Sequence, residues 1–260
     1  MNTWAVIPAK SFGAAKTRLA PACSPPERAD LARRLFLSTV RAARACDALA
    51  GVIVVSADPE LRALATALDA RAYADPPTPG ARPGPEGPWQ ETAPKGARRP
   101  ARVPAGPDFS RSAHCHALLS AGLVGVRGGE DSLNRAVELG CRRAAESGAS
   151  AALVLPADLL LLTPNVIARF LRAAGDADVA VAPDRAEMGT NALLLRPPCA
   201  LAPLFGPDSF ARHRARAATQ GLTVATVRLP ELALDLDTPD DLALAQLWWR
   251  DEIGEEAVHA

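Results

Sequence analysis

An α/β fold is predicted here: a three-layer, Rossmann-like domain on a mostly parallel sheet. Two observations predict it. Short apolar runs of strand type alternate with longer helical patterns along most of the chain, and residues capable of chemistry fall just after those runs, where ligands bind in an open parallel sheet. A third sets the scale: 260 residues, 48% of them hydrophobic, supply a core large enough that a single domain over 1–260 is expected.

Trp4 to Ile7 reads as the first strand, followed by a helix from about Pro26 to Cys46, a strand from Val52 to Val55 and a helix from about Pro59 to Leu68. In the first helix Leu31, Leu35, Val40 and Ala43 fall on or near one face, and Arg33, Arg34, Arg41 and Arg44 reach water. That spacing is amphipathic and places the helix against one side of the sheet. The rhythm resumes with a helix over Asn134 to Ser147, a strand over Ala152 to Leu155, a helix over Pro164 to Ala174 and a strand over Val179 to Ala182. Further strands are expected over Ala192 to Leu195, Thr223 to Leu229 and Leu232 to Leu236, then a closing helix from Pro239 to Trp249 capped by Thr238. The stretch from about Asp75 to Gly129 breaks the pattern. It is rich in Pro, Gly and Arg and reads as an insertion whose first half is loop or disordered. Within it, the apolar run Ala117 to Val126 fits a helical turn or a strand. His114-Cys115-His116 has no second ligand cluster at matched spacing and reads as incidental to the loop.

Lys and Arg together balance Asp and Glu, giving a net charge of zero. No run of like charge supplies the footprint of a protein that tracks nucleic acid, so a small-molecule ligand is expected. The apolar run Leu153 to Leu162 is broken by Pro156 and Asp158 and falls short of the roughly 18 to 20 residues that span a bilayer. The chain opens directly into a strand without a signal-peptide pattern, so a cytoplasmic protein without membrane insertion is expected. The five cysteines are scattered and never paired as C-x-x-C, which indicates reduced thiols rather than a disulfide framework or a zinc knuckle. A homodimer is one assembly compatible with such a chain.

Three clusters carry candidate chemistry. The loop after the first strand, Pro8-Ala9-Lys10-Ser11-Phe12-Gly13-Ala14-Ala15-Lys16-Thr17-Arg18-Leu19, offers Lys10, Lys16 and Arg18 to a triphosphate. Gly13 and its small neighbours let backbone N–H groups approach the phosphates. The loop is not a Walker sequence, and a solvated basic loop is the competing reading. Arg supplies nearly all the positive charge of the chain, yet Lys10 and Lys16 both fall in this one loop. Next, a buried strand ends at Asp158, and Asp235 and Asp237 share one face of a strand by its two-residue period. Mg²⁺ takes one or two carboxylates plus phosphate oxygens, so these three are candidate metal ligands, whereas Asp240 and Asp241 complement a helix dipole. Last, Thr190, the Gly206 backbone and Ser209 at a helix start form a nest for a second anion, with turn chemistry and an N-cap as the competing reading. His213, one turn into that helix, reads as structural.

In this order, the motifs P-A-K-x5-K-T-R-L, L-P-A-D, G-T-N-A-L-L-L-R-P, F-G-P-D-S-F-x2-H and L-D-L-D-T-P-D-D-L resemble the guanylyltransferases of coenzyme F420 biosynthesis. Those enzymes act on 2-phospho-L-lactate, phosphoenolpyruvate or 3-phospho-D-glycerate. The resemblance covers about Trp4 to Asp75 and Leu133 to Leu247. It implies a glycosyltransferase-A type nucleotidyltransferase fold that takes GTP with Mg²⁺ as cofactor, joins GMP to a phosphorylated three-carbon acid and releases pyrophosphate. It further implies that Lys16 and Arg18 hold the triphosphate and that Asp158 with Asp235 or Asp237 holds Mg²⁺. Thr190, Gly206 and Ser209 would then seat the phospho-acid. Two departures stand out. The family's Gly-Leu-Asn becomes Ser132-Leu133-Asn134, with Asn134 the remaining candidate for nucleotide contact, and its Asp-Leu-Pro becomes Asp158-Leu159-Leu160. A molybdenum-cofactor guanylyl- or cytidylyltransferase, which shares the basic first loop and the D-T-P-D-D-L ending, and a nucleotide-binding scaffold without turnover remain alternatives.

Overall fold

The computed structural model describes residues 2–75, 129–243 and 245. Its seven strands are β1 (Thr3–Pro8), β2 (Gly51–Val55), β3 (Arg71–Tyr73), β4 (Ala151–Val154), β5 (Val179–Pro183), β6 (Thr190–Leu195) and β7 (Val224–Thr226). They form one sheet in the order β3-β2-β1-β4-β6-β5-β7. Every pairing is parallel except those of β6, which runs antiparallel to both β4 and β5. The sheet is therefore mostly parallel, as expected, with one reversed strand inside it.

The helices start where local chemistry satisfies their first N–H groups. In α1 (Pro25–Arg44) the Ser24 backbone N–H donates to Glu27 Oε2 at 2.7 Å, one arm of a capping box, and the two prolines of the first turn need no donor partner. In α2 (Pro59–Ala67) Asp58 accepts from the Glu60 N–H at 2.9 Å. In α4 (Pro164–Ala174) Thr163 accepts from the Val166 N–H at 3.2 Å. Further helices are α3 (Gly129–Glu146), α5 (Ser209–Thr219) and the short α6 (Pro230–Ala233).

Strand alternation divides the core into two layers. Ala5, Ile7, Val52, Val54, Leu153 and Leu194 pack with Phe36 of α1, Leu61 of α2 and Phe170 of α4. Val6, Ile53, Val55, Val154, Leu193 and Leu195 pack with Val137 of α3 and Phe210 and Ala217 of α5. The two-residue period of each strand thus feeds both helical layers. Leu31, Leu35, Val40 and Ala43 of α1 are all buried, as their spacing predicts. At Gly140 a Cβ would overlap the Val6 side chain, so glycine is what lets α3 lie close on β1.

Several boundaries and two elements differ from the sequence expectation. The edge strand β3 was not anticipated, because its three residues and exposed first position carry almost no alternation. The strand expected over Leu232 to Leu236 is instead the end of α6 followed by one antiparallel bridge between Asp235 and Leu159. Pro230 starts a helical turn there, and alternation over five residues was too short a signal to override it. The closing helix is present over residues 239–243 and at 245. Its start is the anticipated cap: Thr238 Oγ1 accepts from the Asp241 N–H at 3.3 Å and the Thr238 N–H donates to Asp241 Oδ2 at 2.8 Å. Residues 76–128 of the insertion, including His114-Cys115-His116 and Ala117 to Val126, lie outside the described residues, as do residues 244 and 246–249 of the expected closing helix. Cys46 and Cys141 are buried. Among the described residues no helix is long and apolar enough to cross a membrane.

Candidate active site

The carboxyl ends of β1 and β4 and the amino end of β6 meet at one edge of the sheet, because β6 runs against β4 with Leu193 opposite Val154. All three candidate clusters open at this edge. After β1 the chain makes two 3-10 turns, Phe12–Ala14 and Thr17–Leu19, joined through Lys16 in a left-handed conformation with φ of 56°. This kink turns the Lys16 side chain inward, where it is only 6% exposed.

Lys16 Nζ donates to Asp158 Oδ2 at 2.9 Å and to Asp237 Oδ1 at 3.0 Å. Burial on its own depresses the ammonium pKa, but the charges and hydrogen bonds of Asp158 and Asp237 outweigh it and hold the group above its ordinary value. Lys16 is therefore a firmly charged cation that ties its own loop to those of Asp158 and Asp237, 142 and 221 residues away in sequence. Arg18 NH1 lies 3.5 Å from Asp237 Oδ2 with its side chain 76% exposed. Lys10 is exposed just beyond β1.

Asp158 and Asp235 are neighbours through the backbone: Leu159 bridges Asp235, and the Leu236 N–H donates to the Asp158 carbonyl at 3.3 Å. Burial, followed by the charges of Asp158 and Asp237, pushes the Asp235 carboxyl up to about 6, against the opposing hydrogen bonds of its own backbone and the Asn191 side chain. The three carboxylates do not form a ready-made cage, for among the described residues no three Asp, Glu, His or Cys side chains converge as metal ligands. Asp158 and Asp237 each hold Lys16 through one oxygen, and Asp237 faces Arg18 with its other, so the candidate pair of oxygen donors is Asp158 with Asp235 or Asp237. Two carboxylates are what a phosphate-bound Mg²⁺ requires, since it retains waters and takes its other ligands from the substrate. The donor set fits that ion.

The second half of the site is neutral and buried. Between Ala182 and Pro183 the register of β5 on β6 shifts, so that Pro183 pairs with Thr190. Such a bulge re-aims a side chain at a strand end. Thr190 Oγ1 lies 3.1 Å from His213 Nδ1 and accepts from Ser209 Oγ at 3.1 Å, both on α5, while the adjacent Asn191 donates to the Leu232 carbonyl at 2.9 Å. Neighbouring residues of one strand thus serve the two halves of the site. Ser209 is the first residue of α5 rather than its N-cap. Asp208 holds the cap position in a left-handed conformation without a side-chain cap, and the first two N–H groups of the helix, those of Ser209 and Phe210, donate to the Gly206 and Met188 carbonyls at 3.1 and 3.2 Å. Gly206, with φ of 120°, occupies a conformation that side chains rarely adopt.

Asn134 reaches this region from α3. Its amide accepts from the Phe205 N–H at 2.8 Å and donates to the Phe205 carbonyl at 3.1 Å. It clamps the segment leading into Gly206, and any nucleotide contact it makes is made while holding that segment. Sequence reasoning missed Asp184, whose carboxylate accepts from the N–H groups of Met188 at 2.9 Å and Gly189 at 2.8 Å. An Asp five residues before a glycine was the available signal for this turn. It also underrated His213, which is fully buried. Burial first, then the charge of Arg212, pushes its pKa down to about 4 against a hydrogen bond with the Ser209 backbone.

A sequence model of the family described as guanylyl transferase CofC like matches residues 3–73 and 115–255. Phosphoenolpyruvate guanylyltransferase of Rubrobacter xylanophilus is 36% identical over 94% of this chain and 93% of its own length. A protein of the same name from Sphaerobacter thermophilus is 35% identical over 93% and 91%. A 3-phospho-D-glycerate guanylyltransferase of Colwellia psychrerythraea is 36% identical over 44% of this chain and 55% of its own. Among solved structures, a nucleotidyl transferase from Methanothermobacter aligns over 96% of this chain and 99% of its own with a TM-score of 0.54 at 12% identity. A nucleotide-diphospho-sugar transferase from Desulfovibrio desulfuricans aligns over 93% and 85% with a TM-score of 0.56 at 14% identity. These two likenesses concern the fold. On its sequence, the chain belongs to the CofC-like guanylyl transferase family and is a nucleotidyltransferase.

Proposed function

We propose that the protein transfers GMP from GTP to a phosphorylated three-carbon acid, with phosphoenolpyruvate, 3-phospho-D-glycerate and 2-phospho-L-lactate as the candidates. The observation that carries this reading is the pairing of a cation and carboxylate cluster, Lys16 with Asp158 and Asp237, with a neutral donor cluster, Thr190 with Ser209, at one sheet edge. The names of the relatives point the same way.

In this reading Lys16, Arg18 and Lys10 take the triphosphate. A phosphate oxygen competes with Asp158 and Asp237 for the Lys16 ammonium, and the carboxylates it displaces are freed to face a cation. Asp158 with Asp235 or Asp237 would hold Mg²⁺, which when bound supplies charge neutralisation at the phosphates. Thr190 and Ser209 hydroxyls, with the Gly206 backbone, seat the phosphate of the acid. One of its oxygens attacks the α-phosphorus of GTP; the bond from that phosphorus to the bridging oxygen breaks, and pyrophosphate leaves with the bonding electrons. Positioning and charge compensation account for such a transfer without a general base. A role in coenzyme F420 biosynthesis is part of the same proposal and rests on the motif resemblance.

The test is pyrophosphate release from the purified protein with GTP and Mg²⁺ against each of the three acids, with ATP and CTP as controls. Release that needs GTP and one acid supports the reading. GTP binding with no release in the presence of any acid would point instead to a scaffold.

A further inference from the structure

His213 takes no part in the transfer as described, yet it is buried at the back of the acid-binding half with both ring nitrogens engaged. We propose that His213 is a positioning residue: as the neutral, Nδ1-protonated tautomer it fixes the direction of the Thr190–Ser209 hydrogen-bond relay, so that a hydroxyl proton points out toward the anionic acceptor. This rests on the acid occupying the Thr190 and Ser209 side of the cleft.

The Leu204 N–H donates to His213 Nε2 at 2.9 Å, and a backbone amide has no other role than donor, so Nε2 carries a lone pair. A neutral imidazole has one N–H, which must then sit on Nδ1, 3.1 Å from Thr190 Oγ1. Burial disfavours the doubly protonated ring, consistent with a pKa of about 4, and that ring would also set an N–H against the Leu204 N–H. The Nδ1 proton is shared between Thr190 Oγ1 and the Ser209 backbone, so Thr190 cannot donate into the ring, and it shares a hydrogen bond with Ser209 Oγ at 3.1 Å. The two hydroxyls own two protons between them, and only one is used in the bond that joins them. The other leaves the cluster as a donor.

The opposite tautomer would reverse the result. With the proton on Nε2, Nδ1 would draw in the Thr190 proton, the relay would run inward, and lone pairs would face an incoming phosphate. Imidazole is the side chain that accepts from a backbone N–H on one side and donates to a hydroxyl on the other across a single rigid ring. The edge-on contact with Phe205, with centroids 5.1 Å apart, and the Asn134 clamp on the Phe205 backbone hold that ring and the Leu204 amide in register.

Two measurements test this. Nitrogen-15 NMR of the ring in the intact protein at neutral pH should show Nδ1 pyrrole-like and Nε2 pyridine-like; a ring protonated on Nε2, or on both nitrogens, overturns the inference whatever the substrate proves to be. In steady-state kinetics with the acid that the protein turns over, His213→Phe should raise KM for the acid about tenfold or more, the value of a hydrogen bond to a charged ligand, with KM for GTP within about twofold. His213→Asn, which restores an N–H near the Nδ1 position, should recover most of that loss, and Thr190→Val should add little to His213→Phe. Equal rises in both KM values, or no rescue by Asn, would reduce His213 to a packing residue and overturn the inference. If Thr190→Val leaves KM for the acid unchanged, the placement of the acid fails instead; if Thr190→Val raises it and His213→Phe does not, the role of His213 alone fails.

Discussion

Around Lys16 the protein gathers formal charges at the half-open mouth of the sheet, whereas around Thr190 it gathers neutral donors in the interior. The first region is built from loops far apart in sequence and joined by ion pairs. The second is built from a strand end, a helix start and a buried imidazole joined by hydrogen bonds. The difference is one of readiness. A phosphate entering the charged region must compete with carboxylates already holding its cation. One entering the neutral region meets donors whose partners are already fixed, and so costs little reorganisation.

The largest expected effect breaks the charged region. Asp158→Asn keeps the shape but removes a carboxylate that both Lys16 and the proposed metal use, and kcat/KM should fall by roughly 10²–10³-fold with the thermal midpoint nearly unchanged. A variant within tenfold of wild type would remove Asp158 from the chemistry. Next comes the pH dependence of the neutral region. The pKa of His213 is about 4 in the fold against an ordinary 6.5, so below 6.5 the unfolded chain takes up a proton that the folded chain refuses. The stability is fully present above pH 6.5 and is lost as pH falls toward 4, by on the order of 3 kcal/mol. Chemical denaturation across that window should give a shallower loss in His213→Phe than in wild type; parallel curves would show that the ring is not buried neutral.

Asn134→Ala sharpens the same side. Losing both hydrogen bonds to Phe205 should loosen the approach to Gly206 and raise KM for the acid up to about thirtyfold, at about 1 kcal/mol per bond, an effect read against KM for GTP. A selective rise for GTP would place Asn134 at the nucleotide after all. The smallest change is expected at Arg18. Its exposed side chain at 3.5 Å from Asp237 is screened by water, so Arg18→Gln should cost only about threefold in kcat/KM unless the triphosphate itself orders it.

Much of this division could be read from the sequence, but unevenly. Strands that are buried on both faces, such as β2 and β4, declare themselves as apolar runs, and α4 is marked at its start by Thr163-Pro164. The edge strand β3 and the turn of α6 do not, because three or four residues carry too little periodicity to distinguish them. Lys16, Asp158 and Asp237 were each visible as chemistry-bearing residues after apolar runs. That they form one ion cluster was not visible, because it depends on a left-handed residue and a bridge between Leu159 and Asp235. His213 was legible as a residue but not as part of a relay, since its partners Leu204 and Thr190 come from a loop and a bulged strand whose register no local pattern records.

The most direct test of the account is phosphorus-31 NMR of a reaction containing the protein, GTP, Mg²⁺ and the acid it turns over. Attack at the α-phosphorus gives a new pair of mutually coupled diphosphate signals, joining GMP to the acid, together with an equal amount of pyrophosphate. Pyrophosphate with free GMP, or GDP with a phosphate transferred from the γ position, would contradict it.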